Sequence, residues 1–521
     1  MIQNPILPGF NPDPSFLRVG DDYYIATSTF EWFPGVRIHH SKDLNNWRLL
    51  TYPLTRISQL NLIGHPSSGG AWAPNLTYND GVFYLIYTDV KTKSGPYKDC
   101  HNYLVTATNI EGPWSDPIFL NSSGFDPALF HDEDGRKWLM NMQWDFRKKE
   151  KTFHGILLQE YDAEEKKLTG PVRKIIEGED HVLEGSNLYK VNGYYYIILA
   201  DGGTGFNHSV SVRRSKNIQG PYEQDPMPQI LTARNHPEHP VQRAGHGSLV
   251  ETQTGDWYMA YLSARPLANK ECPLGRETSL QKCIWTDDGW LRMAEGDGLP
   301  TAETEAPGLP ETTFPSRAEK DDFNESELSF IYQSLRVPVT QDWANLTERP
   351  GYLRLHGRES LRSLHRQSVI ARSIESYAMQ AETVVEFSPD TFMQKAGLIC
   401  VFDEMDLFYL HVTYDEKYQK VIQIIQHDQG EYDELLESPV PVKQDQSVYF
   451  KVVILGERLQ FYYRVASSEW NEVGPALPFG NLGDEYGGKL GFTGAFVGVC
   501  CQDLSGQKTY ADFDYFAYKN L

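Results

Sequence analysis

Cysteine is scarce in this chain, with six residues in 521. None belongs to a Cys-x-x-Cys pair, so neither a disulfide framework nor a zinc site is indicated. Buried thiols are the expected state of Cys100, Cys272, Cys283, Cys400, Cys500 and Cys501. Long apolar runs are missing as well: no segment offers about 18 uninterrupted apolar residues, which excludes a helical membrane span. The opening Met1-Ile2-Gln3-Asn4-Pro5 lacks the basic region and apolar stretch of a secretion signal, so a cytoplasmic location is expected. Positive charge is in deficit, since 48 Lys and Arg face 70 Asp and Glu, for a net charge of −22 and a pI near 5.1. A field of that sign repels nucleic acid and anionic membranes, so neither is an expected partner and a neutral ligand fits better. Helical periodicity is rare in the first 300 or so residues, and no HExxH segment marks a catalytic zinc. Gly202-Gly203-Thr204-Gly205 lacks the GK[ST] ending of a phosphate loop and reads as a plain connection.

What the chain does have is aromatic residues, at 13%. Most will fill cores, and some can form the flat amphipathic surfaces that suit sugar rings. The chain is also too long for one core, so two or more domains are expected. Its most informative feature is an internal repeat of a small turn-like start, a β-type strand, a Gly or Asp turn and an aromatic strand. Five copies are legible, from Asp13-Pro14-Ser15-Phe16-Leu17, Ala73-Pro74-Asn75-Leu76, Asp126-Pro127-Ala128-Leu129-Phe130, Glu184-Gly185-Ser186-Asn187-Leu188 and His246-Gly247-Ser248-Leu249-Val250. Their starts lie roughly 50–60 residues apart, the spacing of β-propeller blades with loop insertions.

Equivalent positions of such blades surround one axis, so the starts Asp13, Ala73, Asp126, Glu184 and His246 should meet at one mouth. An Asp before Pro often caps a turn on its own account. Three carboxylates in register are another matter, because like charges gathered in a partly dry site oppose ionisation. That arrangement points to acid–base chemistry. Hydrolysis of a glycosidic bond without a metal needs one carboxylic acid to protonate the leaving oxygen and a second carboxylate to assist attack. A third carboxylate beside the acid would raise its pKa.

After a Pro-, Gly- and acid-rich stretch ending near Glu319-Lys320, the pattern from Asp322 onward is again β. Val448–Leu455 turns at Gly456-Glu457 into Leu459–Tyr463, and Ala396–Phe402 pairs naturally with Leu407–Thr413, which favours a two-layer sandwich. The expected organisation is all-β: a five-bladed propeller at 1–305, a linker at 306–320 and a β-sandwich at 321–521.

Several segments together resemble glycoside hydrolase family 43: Asn11-Pro12-Asp13-Pro14-Ser15, Trp72-Ala73-Pro74-Asn75, Gly124-Phe125-Asp126-Pro127 and Glu184-Gly185. Thr29–Val36, Cys272–Thr278 and Gly494-Ala495-Phe496-Val497-Gly498 resemble the two-domain β-xylosidases of that family. The resemblance implies an inverting, exo-acting enzyme that removes xylose from the non-reducing ends of xylobiose and short β-1,4-xylo-oligosaccharides. It implies Asp13 as general base, Glu184 as general acid and Asp126 as the residue that orients the acid and tunes its pKa. Arg276 would contact substrate hydroxyls and Asp13, Phe30 and Trp72 would wall the terminal xylose site, and Phe496 would be lent to the pocket by the sandwich. Without the resemblance, those three aromatics read as core. His246 faces the axis, where related propellers hold a hydrated calcium ion; a hydrogen-bonded structural histidine is the alternative, and no cofactor is required. A homo-oligomer is the expected assembly. The rival readings are an α-L-arabinofuranosidase on the same fold and a non-catalytic sugar-binding protein, while a fructosidase would carry Arg-Asp-Pro and Glu-Cys where this chain has Phe125-Asp126-Pro127 and Glu184-Gly185.

Overall fold

The computed structural model describes residues 1–466 and 468–521. Five antiparallel sheets, each threaded from the inside outward, follow one another along the first 300 or so residues. Their innermost strands are Ser15–Val19, Gly70–Asn79, Ala128–His131, Leu183–Val191 and Gln242–Glu251. Each packs against the next, and the first also packs against the fifth, which closes a five-bladed propeller. The predicted hairpin turns are present where chemistry permits them. Asp80-Gly81 (φ 50° and 81°) and Asn192-Gly193 (φ 49° and 77°) supply the paired positive φ that a tight two-residue hairpin requires.

Side chains two residues past each blade start tie the ring together. The Leu76 amide donates to Ser15 Oγ, the Leu129 amide to Asn75 Oδ1 and the Phe16 amide to Ser248 Oγ, each at 2.9 Å. The Asn75 side-chain amide also donates to Asn187 Oδ1 at 3.1 Å, across the axis. The N-terminal segment seals blade 5 to blade 1: Ile2–Gln3 pairs with Glu303–Thr304, and the Asn11 amide donates to the Arg276 carbonyl at 3.0 Å.

These contacts identify the true blade register. Asp13, Ala73, Asp126 and His246 all have positive φ (56°, 32°, 53° and 51°), and the corresponding residue of blade 4 is Gly185, at 56°. The irregularity in strand pairing falls at the same place in blades 2, 4 and 5, after Trp72, Glu184 and Gly245. Glu184 therefore sits one residue ahead of the ring position assigned to it from the repeat. The reason is steric, because a Cβ at Gly185 would meet His246 Nδ1 and Ala200 Cβ at 2.9 Å. The acid of this blade has to come from the preceding residue.

The remaining chain forms two packed sheets. In Val448–Leu455 the alternate residues Val448, Phe450, Val452 and Ile454 are fully buried, as period-2 patterning demands. This strand pairs with Arg458–Val465 through the Gly456-Glu457 turn, and Gln394–Val401 pairs with Leu407–Asp415, as expected. One sheet does not end within the sandwich. Its strand Gln333–Leu335 pairs with Trp32–Phe33 of the propeller, so backbone hydrogen bonding runs from one domain into the other. All six cysteines are free and buried.

Candidate active site

A cavity of about 350 Å³ opens at the propeller axis, lined by Asp13, Asp126, Glu184, His246 and Arg276 and walled by aromatic side chains. Asp13 is 6% exposed. Its carboxylate accepts from Arg276 Nη1 at 2.9 Å and from the Ser28 hydroxyl at 2.7 Å, and His246 Nδ1 lies 4.0 Å away. Burial acts to raise its pKa, but Arg276, His246 and the Ser28 hydrogen bond together outweigh it and hold Asp13 below the usual carboxylate value. Asp13 is therefore an anion across the neutral range.

Glu184 has the opposite balance. It is half-buried because its open side is the cavity itself, and the surrounding protein mass desolvates it. Burial, then repulsion from Asp13, push its pKa up to about 7. Asp126 is also raised well above its ordinary value, by burial and then by Glu184 and Asp13. Two neighbouring carboxyls cannot both ionise cheaply, so the pair retains a proton near neutrality. Asp126 Oδ2 accepts from the Gly185 amide at 3.0 Å, a bond that favours the Asp126 anion without outweighing its burial. The same bond clamps the backbone on which Glu184 is mounted.

Arg276 is held from several sides. Nη1 also donates to Thr204 Oγ1 at 3.0 Å, and its guanidinium lies over the rings of Phe30 (5.2 Å) and Phe492 (4.9 Å). Thr204 belongs to the glycine-rich segment read from sequence as a plain connection; it is a loop of blade 4, and it also supports the site. Phe30 and Trp72 lie on the wall as expected, 6.1 Å apart, with Phe125 edge-on to Trp72 at 5.4 Å.

Phe496 is not on the wall. It is fully buried, stacked on Trp32 at 3.7 Å and edge-on to Phe10 at 5.4 Å, in the core that joins the two domains. Its backbone is paired on both sides, with Ser373 and with Val401, and its side chain packs against Trp32 and Phe10 rather than beside the cavity. The sandwich instead contributes Phe492, 5.6 Å from Phe30 and 5.3 Å from Trp72, together with Leu490. Two facing glycines permit this approach. A Cβ on Gly494 (φ 79°) would meet the Gly275 amide nitrogen at 2.6 Å, and one on Gly275 (φ 73°) would meet the Thr493 carbonyl at 2.6 Å. Lys93 steadies the loop by donating to the Leu490 carbonyl at 3.0 Å, with its ammonium 4.6 Å from the Phe492 ring centroid.

Sequence reasoning also missed Lys98, Trp144, Phe153 and His208, all of which line the cavity. None carries a motif. The surroundings of His246 do not fit direct calcium coordination. Calcium takes six to eight oxygen ligands, whereas the carboxylate beside this ring is engaged by Arg276, whose positive charge opposes a cation. Among the described residues, the one cluster of three metal-ligating side chains is Asp145, Glu150 and His154.

Comparison with known proteins agrees with this geometry. Residues 2–291 match the Glycosyl hydrolases family 43, and residues 320–519 match the Beta xylosidase C-terminal Concanavalin A-like domain. A Beta-xylosidase of Bacillus subtilis is 47% identical over 99% of both chains. A Xylosidase/arabinosidase 43B of Humicola insolens is 47% identical over 99% of this chain and 97% of its own. The crystal structure of a xylan beta-1,4-xylosidase from Bacillus Halodurans C-125 superposes with a TM-score of 0.99 at 55% identity, covering 100% of each chain. With half the chain inside the family's catalytic region and these relatives matching end to end, this protein belongs to glycosyl hydrolases family 43, as a two-domain glycoside hydrolase with a propeller and a Concanavalin A-like sandwich.

Proposed function

We propose that the protein is an exo-acting β-xylosidase that releases xylose from the non-reducing ends of short β-1,4-xylo-oligosaccharides with inversion. The observation that carries this reading is the separation of two carboxyl pKa values in one cavity: Asp13 held anionic by Arg276, and Glu184 pushed up to about 7. Near neutral pH the first accepts a proton and the second donates one. Asp13 takes a proton from water as that water attacks the anomeric carbon. Glu184 gives its proton to the departing glycosidic oxygen, and that bond breaks. Asp126 positions the Glu184 backbone through Gly185 and supplies the negative charge that favours the protonated acid. Asp13 and Glu184 stand on non-adjacent blades, which leaves space between them for the attacking water.

Phe30, Trp72 and Phe492 offer the apolar faces of a sugar subsite, and Arg276 and His246 offer polar contacts to its hydroxyls. A pocket closed on one side by Phe492 favours chain ends over mid-chain binding. The proposed division of labour is a catalytic propeller at 1–305, a linker at 306–320 and a sandwich at 321–521. Cytoplasmic location and homo-oligomeric assembly belong to the same proposal, the latter to be measured by light scattering. Activity on α-L-arabinofuranosides is the second reading, favoured by the name of the Humicola insolens relative. Proton NMR of xylobiose hydrolysis tests the main proposal. α-Xylose should form first, and β-xylose accumulating ahead of mutarotation would remove Asp13 as the base.

A further inference from the structure

A second cavity, of about 340 Å³, lies where the propeller, the linker and the sandwich meet, remote in function from the carboxylates just described. Its charged lining consists of Arg37 from blade 1, Arg317 from the linker, Arg372 and Glu375 from the sandwich, so three guanidinium groups face one carboxylate. Glu375 is shared: Arg317 Nη1 and Arg372 Nη2 each reach its Oε1 at 3.1 Å. Arg37 is 4% exposed and makes no ion pair among the described residues. Its guanidinium donates to the Phe10 carbonyl and to Gln333 Oε1, the Tyr52 hydroxyl beside it is another neutral partner, and Glu375 acts on it only from a distance. His39 also lines the cavity, and burial drives its pKa well below the usual histidine value, so it adds no charge at neutral pH.

Buried donors without acceptors accompany this charge. Arg37 Nε and Arg372 Nε have no hydrogen-bond partner, nor does His39 Nδ1, and each of these residues is at most 6% exposed. A buried guanidinium whose direct partners are all neutral is an expensive group for a protein to hold. In a chain of net charge −22 the local excess of positive charge is the more unusual. Two acceptors belong to the same lining, the orphaned Asn11 Oδ1 and the carboxylate of Glu375. A bare oxyanion satisfies the arginines alone; a hydroxylated one satisfies both sets.

We infer that this interdomain cavity binds a small hydroxylated oxyanion, a carboxylate or phosphate ester whose charged end meets Arg37 and Arg372 while a hydroxyl donates to Asn11 or Glu375. The planar forks of arginine suit either oxyanion. Binding there ties three parts of the chain together. It also touches the catalytic side indirectly, since Phe10, whose carbonyl Arg37 holds, packs 6.0 Å from Phe30 and 5.4 Å from Phe496.

Isothermal titration calorimetry at fixed ionic strength, with citrate and with inorganic phosphate as probes, tests the assignment. The intact enzyme should bind citrate at one site per chain and phosphate more weakly, and saturating citrate should raise Tm by about 2–4 °C over matched sodium chloride. Arg317 is part-exposed on the linker, so Arg317→Ala should fold normally and weaken citrate about tenfold. Arg37→Gln should abolish binding. Should that variant misfold, Arg317→Ala and Arg372→Gln still decide the question. Absence of binding to the intact enzyme, or citrate affinity unchanged in Arg317→Ala and Arg372→Gln, overturns the inference. Phosphate binding as tightly as citrate would remove the hydroxyl contact from it.

Discussion

The propeller side of the catalytic cavity carries Asp13, Asp126, Glu184, His246 and Arg276, whereas the sandwich side brings Leu490 and Phe492 and no ionisable group. Asp13, Asp126, Glu184 and His246 lie at or just before the innermost blade strands, close to a ring of hydrogen bonds that holds them in fixed relation, and Arg276 reaches in from the start of Glu277–Trp285, the third strand of blade 5. The apolar pair arrives on a loop, admitted by the contact between Gly275 and Gly494 and steadied by Lys93. The contrast teaches a division of work. On the proposed reading, one domain supplies proton transfer, and the other keeps water out and shapes the pocket, which would strengthen every electrostatic interaction inside it.

If that division holds, substitutions on the propeller side should act on turnover and those on the sandwich side on binding. The largest effect is expected for Asp13→Ala, a loss of about 10⁴-fold in kcat on both xylobiose and an activated aryl xyloside, because water must be activated whichever group departs. Glu184→Ala should cost about 10²–10⁴-fold on xylobiose and far less on the aryl xyloside, whose leaving group hardly needs a proton. Steady-state kinetics of both variants on both substrates would reverse the two roles if the leaving-group dependence appeared in Asp13→Ala instead.

On the sandwich side, Phe492→Ala should raise KM for xylobiose about tenfold, equivalent to about 1.4 kcal/mol of lost apolar contact, with kcat changed less. Phe496→Leu should lower Tm while leaving KM nearly untouched, since its ring lies in the interdomain core. Equal KM effects from the two would mean that the pocket wall and the core behind it are one mechanical unit.

The smallest effect sharpens the comparison most. The pH–rate profile should be bell-shaped, with an acidic limb where Asp13 becomes protonated, below the usual carboxylate pKa, and a basic limb near pH 7 where Glu184 loses its proton. Asp126→Asn keeps an acceptor for the Gly185 amide but removes a negative neighbour. The basic limb should therefore move downward by about one pH unit. An unmoved limb would place the shared proton on Asp126 rather than on Glu184.

Much of this was legible in the chain because it depends on short-range rules. Period-2 alternation and turn residues such as Asp80-Gly81 act over a few positions, so the blades, the sandwich hairpins and the two Asp-Pro starts could be read directly. The register of Glu184 could not. Matching acid to acid aligned it with Asp13, whereas the constraint that settled the matter was the lack of room beside His246, a residue some 60 positions further on. Sequence alone thus determined the all-β architecture, the repeat and the identity of the candidate acids and base. Tertiary structure alone decided which sandwich phenylalanine faces the sugar site, that Asp126 and Glu184 share one desolvated cavity, and that Arg37 is buried with no direct ion pair among the described residues. Each of those outcomes turns on a desolvated contact between groups far apart along the chain, and local pattern carries no information about such distances.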